Sequence, residues 1–183
     1  MKKINFQNID ILSPKFEREN IQLGLSRTKK ALQKLKNPCE NIPAIQIIGT
    51  NGKGSIASFL ESILFLSKKN IGVTTSPHLL DISERIRVNK ENINKKEFEK
   101  LFKKIQDTLS KYKLSPFEQI ICCALKYFDS KKVDLLILEA GLGGRLDATT
   151  AHNLRPIIAI GNIGLDHEEY LGDSIEKITK EKV

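Results

Sequence analysis

The 183-residue sequence has no tryptophan, one methionine and three cysteines, and these scarcities exclude several classes of protein. Two of the cysteines, Cys122 and Cys123, are adjacent within an apolar helical pattern, which excludes a disulfide scaffold and indicates buried thiols in a reducing compartment. No apolar run approaches the ~20 residues of a membrane-spanning helix, and we identify no signal peptide. We therefore expect a cytoplasmic protein with no membrane partner.

Basic residues outnumber acidic ones, and the net charge is +8. This charge either attracts anionic ligands or belongs to a lysine-rich, solvated surface. The basic residues are not interleaved with aromatic side chains, so we expect no nucleic-acid partner.

Apolar strands alternate with amphipathic segments, which predicts an α/β fold with a three-layer, doubly wound and mostly parallel sheet in a single domain. We expect a long irregular loop at residues 77–92 and a final helix from Asp173. Ser115 is predicted to cap another helix that has Pro116 in its first turn. The strands are predicted at Ala44–Ile48, Ile71–Thr75, Val133–Leu138 and Pro156–Ile160, and the first helix at Pro14–Leu35.

The most informative stretch is the glycine-rich segment Gly49–Ser55, which follows an apolar strand and precedes an apolar helical pattern. Such a turn directs backbone N–H groups and the positive end of a helix dipole to one point, where Lys53 adds an ammonium group. This predicts a nucleoside-triphosphate site. The motif departs from a standard Walker A sequence, because Ile47 stands where the first glycine belongs and Gly54 replaces the hydroxyl residue after the lysine.

Polar side chains follow every predicted strand. Ligands of open α/β sheets bind beyond the carboxyl ends of the strands. We therefore expect Ser76, Glu139, Asp166 and His167 to converge beside the segment Gly49–Ser55, which we call the phosphate turn. A hydroxyl, a carboxylate and an imidazole near phosphates suit one or two Mg²⁺ ions. Taken singly, such a glutamate is more often a helix cap or an ion-pair partner, and such a histidine a structural hydrogen-bonding residue.

Five segments occur in order, namely Gly49–Ser55, Thr75–Leu79, Glu84–Asn89, Glu139–Thr149 and Ile163–His167. Through them the chain resembles the N-terminal ATP-binding domain of the folylpolyglutamate synthase/dihydrofolate synthase family, within the Mur ligase superfamily. Other Mur ligases share the phosphate segment but not Gly-Leu-Gly-Gly-Arg-Leu-Asp-Ala. The resemblance implies an ATP-dependent, ADP-forming ligase: a carboxylate of dihydropteroate or of a folate is phosphorylated, and the amino group of L-glutamate attacks the acyl phosphate.

The resemblance also implies roles for individual residues. ATP phosphates would be bound by Asn51, Gly52, Lys53, Gly54 and Ser55, with Lys53 offsetting the charge of the transferred group. One Mg²⁺ would be bound by Ser76 and Glu139, and a second by His167. Lys182 matches a carbamylated lysine of the catalytic site, a modification that requires a neutral amine. The substrate would contact Ser115, Pro116, Phe117, Glu118, Leu146, Asp147 and Ala148.

Three side chains keep two interpretations each at this point. Phe117 could stack on a pterin ring or be a buried aromatic residue of a capped helix. Arg85 and Arg87 lie in a segment that resembles a mobile loop beside the folate site. They could bind glutamate carboxylates or be solvated.

We expect residues 1–183 to form one domain and to contain none of the C-terminal domain that the family has. The chain alone is therefore expected to bind ATP and Mg²⁺ without turnover, as a monomer. Its expected small-molecule partners are ATP, L-glutamate and folate or dihydropteroate. Two rival functions are a ligase of peptidoglycan precursors and a non-catalytic nucleotide-binding module.

Overall fold

A computed structural model describes residues 21–183, which contain a six-stranded sheet in the order β4-β3-β2-β5-β1-β6. The four strands β2, β5, β1 and β6 are parallel, whereas β3 and β4 pair antiparallel at one edge. The strands are β1 (Ala44–Ile48), β2 (Ile71–Thr74), β3 (Ile86–Val88), β4 (Glu91–Asn92), β5 (Leu135–Glu139) and β6 (Ile157–Ile160). The predicted mostly parallel sheet is confirmed.

Helices cover both faces of this sheet, as expected for a three-layer fold. Side chains alternate along β5, so Leu136 and Leu138 pack into one core while Ile137 packs into the other. The helices are α1 (Ser26–Lys34), α2 (Lys53–Phe65), α3 (Lys95–Lys111), α4 (Pro116–Lys131), α5 (Glu168–Leu171) and α6 (Ile175–Lys182). The larger core, which contains Leu136 and Leu138, lies under α1, α3 and α4, and the core that contains Ile137 lies under α2.

The α4 helix begins as its sequence predicts. Ser115 is the N-cap, and its hydroxyl accepts the N–H of Glu118 at 3.3 Å while the Glu118 carboxylate accepts the N–H of Ser115 at 2.7 Å. Pro116 occupies the first turn, where no N–H donor is needed. This reciprocal cap fixes the start of α4 at the carboxyl end of the sheet.

Two local expectations were wrong. The predicted first helix begins only at Ser26, because the chain bends at Leu25 after Gly24, whose φ is +133°; residues 14–20 lie outside the described part. Residues 77–92 are not an irregular loop. They contain the 3₁₀ turn Ile82–Arg85 and the β3–β4 hairpin. The segment is polar and the two strands are short, so the sequence shows no strand pattern there.

The β6 strand is an exposed edge with apolar side chains on both faces. Ile157, Ile158 and Ile160 are 54%, 45% and 50% exposed, although an all-apolar strand of a parallel sheet is usually covered on both sides. On the neighbouring α2, Phe59 and Ile63 are exposed as well. Within residues 21–183, no helix is both long enough and apolar enough to cross a bilayer.

Packing between β2 and α4 leaves no room for a side chain at Gly72. A Cβ atom there would lie 2.8 Å from the ring of the fully buried Phe128. We predict that Gly72→Ala lowers the free energy of unfolding by about 1–3 kcal/mol, because a buried ring must shift. Urea unfolding measures this, and Gly164→Ala is the control, because its Cβ would make only an ordinary contact at 3.6 Å. Equal stability of the two variants would contradict the prediction.

Candidate nucleotide and substrate site

The glycine-rich turn connects β1 to α2 at the carboxyl edge of the sheet. Gly52 precedes α2 with a φ of +83°, a conformation that glycine adopts without strain. The turn is held from the opposite side by the segment after β6: the Thr50 N–H donates to the Asn162 carbonyl at 2.6 Å, and the Thr50 hydroxyl donates to the Gly164 carbonyl at 3.0 Å. Asn51, Gly54 and Ser55 are exposed, so the first turn of α2 is open to a ligand.

Lys53 lies at the start of α2 with its side chain folded over the turn. Its Nζ donates to the carbonyl oxygens of Gly49 and Thr50, both at 3.0 Å. The ammonium group is therefore held at the turn by two of its three N–H donors.

Glu139 ends β5 as a buried carboxylate that faces this turn. Its Oε2 accepts the N–H of Ser76 at 3.0 Å, and a Cβ placed on Gly54 would lie 3.9 Å from both carboxylate oxygens. Burial raises the pKa of Glu139, while the Ser76 N–H and the charge of Lys53 act in the opposite direction. Ser76 and Glu139 thus meet beside the phosphate turn, as their positions after β2 and β5 imply.

His167 lies on the same edge, beyond β6, with a φ of +50°. Its imidazole is 40% exposed and has Nε2 3.7 Å from a carboxylate oxygen of Asp166. Both residues line one cavity together with Ser76. Among residues 21–183 no three histidine, cysteine or acidic side chains cluster tightly enough to bind a metal, so a metal here would depend on the Ser76 hydroxyl and on solvent as well.

The cavity has a volume of about 500 Å³ and lies beside the phosphate turn. That volume suits a small organic ligand. All seven residues predicted to contact substrate line it. Gly141 and Leu142 also line it; they belong to the segment Gly141–Asp147, which we call the glycine-rich loop. The predicted contacts are Ser115, Pro116, Phe117, Glu118, Leu146, Asp147 and Ala148.

Phe117 contributes a half-exposed ring to this cavity. A Cβ on Gly141 would lie 2.9 Å from the ring, so the glycine lets the loop approach the aromatic side chain closely. Beside it, the Glu118 carboxylate already has hydrogen-bond partners within the protein, because it accepts from the Thr28 hydroxyl at 2.9 Å and from Arg27 at 3.3 Å. Phe117 therefore presents the apolar surface of this wall, and Glu118 holds α1 against it.

Asp147 shapes the wall through its own internal hydrogen bonds. Its Oδ2 accepts the N–H groups of Gly141 and Leu142, at 2.9 and 3.0 Å, and its Oδ1 accepts the N–H and hydroxyl of Thr149. Burial raises the pKa of Asp147, which these donors oppose. The carboxylate thus holds the glycine-rich loop in place.

Sequence reasoning missed the buried amide that supports this loop. Gln46 lies in the middle of β1, and its Nε2 donates to the hydroxyls of Thr149 and Thr150, both at 2.8 Å, while Oε1 accepts from Arg155. The sequence does mark Gln46 as unusual, because it is the one polar residue within the apolar run of β1.

Arg85 and Arg87 fit neither interpretation that the sequence left open. Arg85 is fully buried, and its Nε donates to Nδ1 of His78 at 2.9 Å. Arg87 forms an ion pair with Glu61 of α2 at 2.9 Å, in which the side chains are 16% and 7% exposed. Both guanidinium groups are internal, because the β3–β4 hairpin folds back onto α2.

Lys182 is buried in the last turn of α6, and its Nζ donates to the Gly49 carbonyl at 2.9 Å. Burial, followed by the nearby charge of Lys53, lowers the pKa of Lys182. A lowered pKa favours the neutral amine that carbamylation requires. Whether the amine is modified stays a prediction.

Comparisons with known proteins agree with this arrangement, although no protein-family model matches the chain. The dihydrofolate synthetase of Saccharomyces cerevisiae is 37% identical over 169 residues, which are 88% of this chain and 39% of that protein. The structure of Escherichia coli FolC in complex with DHPP and ADP has a TM-score of 0.85 at 36% identity, covering 89% of this chain and 39% of that one.

A bifunctional folylpolyglutamate synthase/dihydrofolate synthase with Mn, AMPPNP and L-glutamate bound is also similar, with a TM-score of 0.82 at 36% identity over 91% of this chain and 41% of that one. The chain thus spans about two fifths of the length of the relatives it matches. The match shows that it is homologous to the N-terminal part of these enzymes.

The buried carboxylate of Glu139 leads to a prediction about stability and pH. Because its pKa is raised in the folded protein, its contribution to folding is greatest below the unfolded value of 4.5 and is lost as the pH rises through the folded pKa. In the absence of ligands, we expect Glu139→Gln to be at least as stable as the parent protein at pH 7.5, with the difference shrinking as the pH falls toward 4.5.

Urea unfolding from pH 5 to 8 measures this difference. Glu97→Gln is the control with the opposite sign, because a hydrogen bond from Lys131 lowers the pKa of Glu97 and the loss of this interaction should matter most at high pH. A Glu139→Gln variant that is less stable than the parent at pH 7.5 would contradict the prediction.

Proposed function

We propose that this homologue of the N-terminal part of dihydrofolate synthase/folylpolyglutamate synthase binds ATP and Mg²⁺ beside a pocket for a folate-type acceptor. As part of a complete enzyme, it would add L-glutamate to dihydropteroate or folates through an acyl phosphate, with release of ADP. The observation that carries the proposal is the juxtaposition of the Lys53 turn and the Phe117 cavity along one edge of the sheet. One similar structure has DHPP and ADP bound, and another has Mn, AMPPNP and L-glutamate bound.

The nucleotide would bind with its phosphates at the turn of residues 51–55. The exposed N–H groups at the start of α2 supply donors, and Lys53 exchanges its bonds to Gly49 and Thr50 for bonds to phosphate oxygens. Because the Glu139 carboxylate lies beside Gly54, a bound Mg²⁺ ion would offset the repulsion between this carboxylate and the phosphates.

The donors at the sheet edge fit Mg²⁺. Glu139 and Ser76 provide oxygen atoms beside the turn, and His167 lines the same cavity as Ser76. Oxygen ligands with several retained waters are typical of Mg²⁺ bound with phosphates. When bound, the ion would supply positive charge that offsets the charge on the phosphate oxygens.

The acceptor would bind in the cavity of about 500 Å³ between α4 and the glycine-rich loop. The Phe117 ring offers a surface on which a planar pterin could stack, and the backbone of Gly141 and Leu142, fixed by Asp147, forms the facing wall. This pocket favours a folate over a peptidoglycan precursor, and the similar structure with DHPP bound supports that choice.

Catalysis would need more than these residues, because the match covers only about two fifths of each relative. We propose that residues 1–183 act as the ATP-binding unit, that they work as a monomer in the cytoplasm, and that they bind small molecules and not nucleic acid. The rival function, a non-catalytic nucleotide-binding module, would give the same result when residues 1–183 are tested alone, namely nucleotide binding without turnover.

Lys53 provides the direct test of the nucleotide site. We predict that Lys53→Ala weakens ATP binding by roughly 1.5–3 kcal/mol, about 10- to 150-fold, because a charge-assisted contact is lost. The lower end is expected, since the free ammonium is already hydrogen-bonded to two carbonyl groups. Isothermal titration calorimetry measures the affinity, with Lys104→Ala on the exposed surface of α3 as the control. Unchanged affinity in the Lys53 variant would refute the assignment.

A second test concerns turnover. Alignment of reactants can contribute about 7–11 kcal/mol to a ligation, and residues 1–183 supply only part of the enzyme that would align them. We expect the chain with ATP, Mg²⁺, L-glutamate and dihydropteroate or tetrahydrofolate to bind nucleotide but to release no ADP in a glutamate-dependent manner. A coupled assay for ADP measures this, and steady release would show that these residues suffice.

A further inference from the structure

Arg87 is the centre of a half-buried group of hydrogen bonds at the edge of the nucleotide site. Its Nε and Nη2 donate to the Glu61 carboxylate, at 3.2 and 2.9 Å to Oε2. Its Nη1 donates to the Thr75 hydroxyl at 3.0 Å and to the Glu84 carbonyl at 2.9 Å. We call Glu61, Thr75, Glu84 and Arg87 the Arg87 cluster. One guanidinium group thereby satisfies acceptors from three separate parts of the chain.

The partners of Arg87 connect the two sides of the site. Glu61 belongs to α2, the helix that begins at Lys53 and carries the exposed N–H groups of the phosphate turn. Thr75 directly precedes Ser76, whose N–H donates to Glu139. The Glu61 carboxylate also accepts the N–H of Lys90 at 3.2 Å, so the β3–β4 hairpin is held in the same arrangement.

These contacts set the distance between the phosphate turn and the Ser76 segment. The α2 helix lies outside the sheet, and the chain leaves the sheet only after Thr75, whose N–H still donates to the Arg85 carbonyl at 3.3 Å. Backbone pairing therefore holds Thr75 to the β3 side, and Arg87 is what connects it to α2. Burial makes the link effective, because the Arg87 and Glu61 side chains are only 16% and 7% exposed and a displaced partner would leave a charge unpaired away from water.

We propose that Arg87 is a positioning residue, which acts through the Thr75 hydroxyl to hold Ser76 and Glu139 at the spacing that Mg²⁺ and nucleotide phosphates need. This inference rests on the proposed nucleotide function. Arginine is required here because its planar group makes several hydrogen bonds in fixed directions, whereas a lysine would keep the charge and lose the link to Thr75. A purely structural role would stabilise the hairpin without affecting Mg²⁺.

Thr75→Val is the minimal variant, because it removes the hydroxyl at nearly constant shape and leaves the Arg87–Glu61 ion pair intact. Arg87→Lys is the second variant. Two quantities are measured for each: the Mg²⁺ concentration that half-saturates nucleotide binding, with the Mg²⁺-free nucleotide affinity determined separately, and the exchange rate of the Ser76 amide hydrogen in the ligand-free protein. Thr28→Val is the matched control, since its hydroxyl also makes a hydrogen bond to a charged side chain, the carboxylate of Glu118, on the other face of the sheet.

We expect both variants to raise the half-saturating Mg²⁺ concentration about fivefold, the change that corresponds to one hydrogen bond of about 1 kcal/mol. The Ser76 amide should exchange faster, while Mg²⁺-free nucleotide affinity and the Thr28→Val control stay at parent values. Unchanged Mg²⁺ dependence and amide exchange in Thr75→Val would overturn the proposal. A parallel fall in Mg²⁺-free affinity would also overturn it, because the cluster would then support α2 as a whole.

The parent protein separates this inference from the proposed function. If the parent binds no nucleotide, or binds it without any response to Mg²⁺, the proposed function fails and the positioning role fails with it. If the parent responds to Mg²⁺ and the two variants respond identically, only the positioning role is lost.

Discussion

The hydrogen bond from the Ser76 N–H to the Glu139 carboxylate is the interaction on which the site depends. It joins the ends of β2 and β5 and holds a carboxylate where burial raises its pKa. The Ser76 N–H and the charges of Lys53, Arg87 and Arg85 oppose the effect of burial on this carboxylate, but burial has the larger effect. A carboxylate in this state gains by meeting a cation, and the open side of Glu139 faces Gly54 and the phosphate turn. The binding edge is therefore partly destabilised before any ligand arrives.

Most of the architecture could be predicted from the sequence because its strong signals are local. The apolar strands, the glycine turn at Gly49–Ser55 and the Ser115 cap depend on neighbouring residues, and their positions were confirmed. Parallel pairing then places the carboxyl ends of β2, β5, β1 and β6 at one edge, so the proximity of Ser76 to Glu139 followed from topology. The roles of these side chains as ligands stay predictions.

The parts that could not be predicted depend on contacts between distant residues. Arg87 and Glu61 are 26 positions apart, and nothing in a polar, hairpin-forming segment shows that it will fold onto α2. Gln46 and Thr149 are separated by 103 residues, so an amide within an apolar strand could be recognised as unusual but its partners could not. The glycine-rich loop and the segment around Thr75 thus share one feature, a hydrogen bond from a polar side chain that is distant in the sequence.

The close approach of α6 to the glycine-rich loop has a consequence for both parts of the site. A Cβ on Gly144 would collide with the carbonyl oxygen of Lys182, and the Arg145 N–H donates to the Glu181 carbonyl, so the backbones of loop and helix are in direct contact. The Lys182 side chain reaches on to Gly49 in the phosphate turn. Because protein interiors are close-packed, a displacement of either segment has to be accommodated by the last turn of α6, which contacts the phosphate turn through Lys182 and the glycine-rich loop through Glu181.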